Sequence, residues 1–316
     1  MNRILCVLTA AMLLVSGCGK KPEEQKKIFA FVPKLLDNPV FQVAWQGAQA
    51  AQKDLGGGTI EVQRFAPVKS DAVEQAQIIE SLIERKVSGI AVSVNDADAL
   101  KESIDKAVDA GIPVVTFDSD ALKSKRASFY GTNNPGSGRT MGEYLVKFMG
   151  KKGSIALLMG TPGAPNLEER KNGLLEYLKA YPDIHVVATE YCYDDVNRAV
   201  AGMEAVMQAH GDLKGWVLIG GWGIFTPPPG PFASKKPGEL TVIGFDALPE
   251  ELEYVREGYV QALIGQKLWG WGYESFRLLK EITEGKKPEP IIDSGVDIVT
   301  KENAEEYAMK WKTGKF

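Results

Sequence analysis

Two stretches carry acidic groups where an α/β protein meets its ligand. Ile112 to Asp120 reads IPVVTFDSD, an apolar, β-branched run that breaks off at Asp118, Ser119 and Asp120. A second strand-like run, Leu240 to Phe245, ends in Gly244-Phe245-Asp246. In an open parallel sheet, ligands bind just beyond the carboxyl ends of the strands, so carboxylates there can accept hydrogen bonds from a hydroxyl-rich molecule. The same residue types in pairs can act as acid and base on a glycoside. Aspartates at strand ends also simply cap turns. These residues alone leave all three roles open.

Other chemistry is poorly supplied. The chain has two histidines, His185 and His210, and three cysteines, Cys6, Cys18 and Cys192, none of them close to a histidine in a metal-binding spacing. No metal or other cofactor is expected, and Cys192 reads as a buried, inert thiol. Gly56-Gly57-Gly58 follows a helix and precedes a strand, the reverse of the order a phosphate loop needs, so it terminates a helix. With a formal net charge of -4 and scattered Lys and Arg, nucleic acid is not an expected partner.

The positioning elements begin after a leader. Arg3, the apolar Ile4 to Val15 and the closing Val15-Ser16-Gly17-Cys18 are similar to a bacterial lipobox signal. This predicts residues 1–17 as a lipoprotein signal peptide, lipid on Cys18, residues 18–27 as a tether and an extracytoplasmic, membrane-anchored protein. An ordinary secretory signal, leaving Cys18 free, is the alternative. From Ile28 onward, short apolar strands alternate with amphipathic helices, such as that from Asp71 to Lys86 with Ala72, Ala76, Ile79 and Ile83 on one face. Such alternation means βαβ units and parallel sheets. The polar stretch Gly131 to Asn134 separates two series of this kind. The fold class expected is α/β, two doubly wound parallel-sheet lobes joined by a multi-strand hinge. The lobes are drawn as 28–132 plus 267–297 and 133–266 plus 298–316. Gly220 to Pro231, rich in glycine and proline, reads as a rigid loop.

Five segments in this order resemble the periplasmic sugar-binding proteins of bacterial ABC importers, of the ribose- and galactose-binding type. They are Asn38-Pro39-Val40-Phe41, Ile112 to Asp118, Arg170-Lys171-Asn172-Gly173, Val242 to Asp246 and Ala262 to Gln266. The resemblance implies a two-lobed protein that closes on one small sugar or polyol and presents it to the transmembrane subunits of a permease, with a monomer expected. It implies that Asn38 bonds a hydroxyl and Phe41 packs on a sugar face. Ser93 or Asn95 adds a strand-end contact, Asp118 accepts from two hydroxyls, Arg170 donates, and Asp246 and Gln266 complete the set. Each has a plainer reading, as helix cap, core residue or surface charge.

The chain also departs from the ribose binders. Where they carry an arginine directly after the first strand-end aspartate, Ser119 stands here, and specificity is expected to concentrate at that position. Where they carry an Asn-Asp pair after the strand matching Gly215 to Ile219, this chain has Gly221 and Trp222. Trp222 is expected to form a stacking wall, or else to anchor the proline loop, with Asp194 or Asp195 at the mouth. Asp120 is assigned to a turn or rim. The resemblance points to binding without catalysis. A sensory ligand-binding module for a receptor kinase or chemoreceptor would share this plan, and a glycoside-active enzyme is the third possibility.

Overall fold

The computed structural model describes residues 26–313. The expected leader, Cys18 and most of the tether lie outside the described residues.

The first six-stranded sheet contains β1 (Lys27–Val32), β2 (Ile60–Arg64), β3 (Gly89–Val92), β4 (Val114–Phe117), β5 (Ser128–Gly131) and β11 (Ile291–Asp293). Its order is β2-β1-β3-β4-β5-β11, all parallel. Helices α1 (Pro39–Gly56), α2 (Ala72–Glu84) and α3 (Ala97–Asp109) cross between strands, and α8 (Leu268–Thr283) returns from far along the chain to pack against α1. The four-residue strands β3 and β4 are buried along their whole length, as a sheet covered on both faces requires.

The second sheet repeats the plan with β6 (Gly153–Met159), β7 (Ile184–Tyr191), β8 (Leu213–Leu218), β9 (Thr241–Phe245), β10 (Ala262–Gln266) and β12 (Val296–Val299). Its order is β7-β6-β8-β9-β10-β12, with β12 antiparallel to β10. Helices α4 (Asn134–Met149), α5 (Pro165–Leu178), α6 (Val196–Ala209), α7 (Pro249–Glu257) and α9 (Ala304–Thr313) belong to this half. The fold is therefore the expected pair of doubly wound, mostly parallel sheets. In both, strand order reverses beside the first strand, which opens a crevice at the carboxyl ends.

The chain passes between the sheets near Thr132, at Lys267 and across Ser294-Gly295. The third passage corrects the drawn boundary: Val296 and Asp297 pair with Gln266 and Gly265, so they belong to the second sheet. Helix α4 starts at Asn134, because the Asn133 side chain accepts from the Gly136 N–H and Pro135 sits in the first turn. The final helix starts at Ala304, after Asn303 and Thr300 form a turn. Helix α7 was not anticipated. Its start is held by Glu251, whose Oε2 accepts from the N–H groups of Ala247 and Leu248, both at 2.6 Å. Cys192 is fully buried, and burial pushes its thiol up to about 12.

Candidate ligand-binding site

The carboxyl ends of the two sheets face each other across a cleft. Its wall includes Asn38, Phe41, Asp118, Arg170, Asp194, Trp222, Asp246 and Gln266, so eight of the expected residues converge from separate elements.

Asp118 and Asp246 occupy matching places, after β4 and after β9. Both have left-handed backbone, with φ of 59° and 89°. A non-glycine residue there is strained and persists only where its surroundings hold it. Asp118 is held by Ser93, whose Oγ donates to Oδ2 at 2.6 Å, and by Asn166, whose Nδ2 donates to Oδ1 at 2.9 Å. Asp246 Oδ1 accepts from Gln266 Nε2 at 2.7 Å, and Gln266 Oε1 accepts from Thr132 Oγ1 at 2.8 Å. Gln266 thus ties two of the inter-sheet passages to the site. Burial raises the Asp246 carboxyl to about 6, against the lowering effects of the Gln266 bond and the Arg170 charge.

Arg170 is 1 % exposed. Its guanidinium lies 3.4 Å from the centre of the Phe245 ring and donates to the Ile219 carbonyl and, at 2.9 Å, to Asn134 Oδ1. Its Nε has no partner among the described residues. Burial lowers it to about 10, partly offset by Asp246 and Asp118.

Trp222 lines the second sheet's side. Its ring rests where Gly160 and Gly220 lack side chains: a Cβ at those positions would come within 2.5 Å and 2.3 Å of ring carbons. Phe41 sits edge-on to Phe117 at 6.1–6.4 Å from its aromatic neighbours Trp271 and Phe117. Trp271 also lines the cleft, and the indole N–H groups of both Trp222 and Trp271 are buried without a partner among the described residues. Asn38 does cap α1, with Oδ1 accepting from the Val40 N–H at 3.0 Å. That bond engages only the oxygen, so its amide nitrogen stays available to a ligand. Asp194 Oδ2 accepts from Thr161 Oγ1 at 2.7 Å at the cleft's side.

Three residues expected to contact the ligand lie off the cleft wall. Ser93 and Ser119 are fully buried and off the cleft wall, Ser93 serving to orient Asp118. The backbone is left-handed at Asp118, and the Ser119 Oγ that follows is enclosed, with no partner among the described residues. Asn95 is spent inside the first half, donating to the Lys34 carbonyl and accepting from Ser70 Oγ. Asp120 pairs with Arg126 through two bonds of 2.6–2.7 Å, as a turn residue.

Several cleft residues went unrecognised in the sequence, Trp271 among the aromatics and Lys34 and Asn166 among the hydrogen-bonding groups. Lys34, beyond β1, is 6 % exposed; its Nζ donates to Asn166 Oδ1 at 2.7 Å and lies 3.7 Å from Asp118 Oδ2. Desolvation lowers its pKa, while Asp118 and Asp194 oppose that. Asn166, in the first turn of α5, therefore bridges Lys34 and Asp118 across the cleft. A lysine set between Val32-Pro33 and Leu35-Leu36 was the available signal, since a charge inside an apolar run needs a partner.

A periplasmic binding protein domain matches residues 29–287. The chain is 24% identical over 304 residues to the ribose import binding protein of Bacillus subtilis, covering 93% of this chain and 97% of that protein. It is 26% identical to a D-apiose import binding protein of Actinobacillus succinogenes, covering 84% and 86%. Among solved structures, an ABC transporter solute binding protein from Burkholderia graminis in complex with D-arabinose is 34% identical. It superposes with a TM-score of 0.81 over 90% of this chain and 98% of that one. The chain belongs to the periplasmic binding protein domain family and has the two-lobed type I architecture of the sugar-binding proteins of ABC importers.

Proposed function

We propose that the protein captures one small, uncharged sugar or polyol in the cleft and delivers it to an ABC permease, tethered to the membrane through lipid on Cys18. The observation that carries this reading is the alternation of buried groups around the cleft. The carboxylates of Asp118, Asp194 and Asp246 accept; Lys34, Arg170 and the two indoles can only donate. Hydroxyl groups do both, so a polyol satisfies both sets at once. An ion would complement only one of the two sets and lie against like charge in the other. The relatives named for ribose, apiose and arabinose support the same class.

The test is a thermal-shift panel of pentoses, hexoses, deoxy sugars, polyols and amino acids. A ligand present at about 100 times its dissociation constant stabilises by about 2.7 kcal/mol. At least one pentose or hexose is expected to raise the melting temperature; a shift by amino acids and by no carbohydrate would refute the reading.

Affinity is expected to depend on pH through Asp246. A carboxyl raised from 3.8 to about 6 contributes most to the ligand-free fold below 3.8, and that contribution is lost as pH rises through about 6. A sugar hydroxyl donating to the ionised form works in the opposite sense. Calorimetric titration should therefore show affinity falling by about tenfold between pH 7 and pH 5. An Asp246→Asn variant should lack that slope.

A further inference from the structure

Leu248 lies two residues beyond Asp246, in the second half of the chain by sequence, yet it is 3 % exposed and packs in the buried apolar cluster of the first half, with Val43, Leu268 and Trp271. It is not on the wall of the ligand cleft. It borders a separate outer hollow, shared with Pro39 and Val43 of α1 and with Trp311 of α9. Trp311 and Phe225, both from the second half, pack against the cores of both halves, and Trp311 Nε1 donates to the Ala247 carbonyl at 2.9 Å. An apolar seam thus runs alongside the cleft, and the lobes cannot separate without exposing it.

We propose that Leu248 is a positioning residue for closure: it sets how much of the ligand-free protein is closed, and so scales the affinity for every ligand by one factor. The proposal rests on the reading of the cleft as a site that closes on a sugar. Burying an aliphatic side chain against the opposite lobe favours the closed state whichever sugar is present. Apparent affinity is the intrinsic affinity of the closed state multiplied by its population, so a change at the seam moves all sugars together. A residue that touches the sugar moves them unequally, because each sugar presents different hydroxyls.

The experiment compares wild type, Leu248→Ala and Leu248→Met by calorimetric titration with D-ribose, D-arabinose and D-allose, and by small-angle scattering without sugar. Leu248→Ala is expected to weaken every sugar that binds wild type by the same factor, about 10- to 100-fold, with the ranking unchanged. Its ligand-free scattering should show a larger radius of gyration than wild type. Leu248→Met, which keeps the volume, should stay near wild type in both measurements. Unequal factors among sugars, or ligand-free scattering unchanged by Leu248→Ala, would overturn the proposal. The scattering comparison stands without any sugar, so a failure of the sugar reading would be seen separately, as titrations without heat in wild type.

Discussion

Replacing Asp118 with asparagine is expected to weaken sugar binding by at least about a hundredfold. A carboxylate accepting from two hydroxyls contributes about 1.5–3 kcal/mol per bond, and the neutral amide loses most of that. Asparagine is the informative substitution because the backbone at this position has φ 59°, which asparagine tolerates and alanine does not. Its side chain can still accept from Ser93 or Asn166, so the turn survives. The Lys34 ammonium, however, loses its nearest opposite charge, 3.7 Å away, in a fully desolvated place. Breaking such a buried pair by removing one partner costs about 3–5 kcal/mol, so a lower melting temperature should accompany the loss of affinity. Calorimetric titration and a thermal melt check both, and affinity within a factor of three of wild type would put the sugar elsewhere.

Arg170→Ala is expected to do more damage to the fold than to any one contact. The guanidinium satisfies the Ile219 carbonyl and Asn134, covers the Phe245 ring and lies near Asp246 and Asp118. Truncation leaves two buried acceptors unbonded, a void over an aromatic ring and two carboxylates without their shared cation. We expect a loss of about 3–5 kcal/mol in stability, with no measurable binding of any sugar that shifts the wild-type melt. Arg170→Lys should restore part of the stability and little of the binding, since one ammonium cannot reproduce the planar fork that serves several partners. Chemical denaturation measures the first effect and titration the second; a stable Arg170→Ala protein that still binds would remove the arginine from both the site and the list of residues holding the fold.

Much of the molecule was legible as pattern. Asn38 before Pro39 is a helix start that needs only local geometry, and the structure has that cap. The buried runs ending at Asp118 and Asp246 are parallel strands of two different sheets, β4 and β9, whose ends must face a crevice once the helices cross on both sides. Local patterns failed where a residue's role depends on the direction of a single bond. Ser93 and Asp118 are both strand-end polar residues, but one faces the cleft and the other faces its neighbour. Helix α7 was missed because a leucine, Leu248, precedes its proline in place of a capping side chain, and the capping acid lies inside the helix at Glu251.

The sequence by itself determined the alternation of strands and helices, the two-lobed plan and the acids at matching strand ends, because each follows from periodicity, turn chemistry and strand burial over a few neighbouring residues. Only the tertiary structure decided which of those polar groups meet. Lys34, Asp118 and Asn166 are separated by up to 132 residues yet share one network across the cleft. Positive φ at Asp118 turned that carboxylate into the cleft and Ser119 out of it. A buried charge takes its partner from whatever the fold brings within a few ångströms, and that proximity is not a property of spacing along the chain.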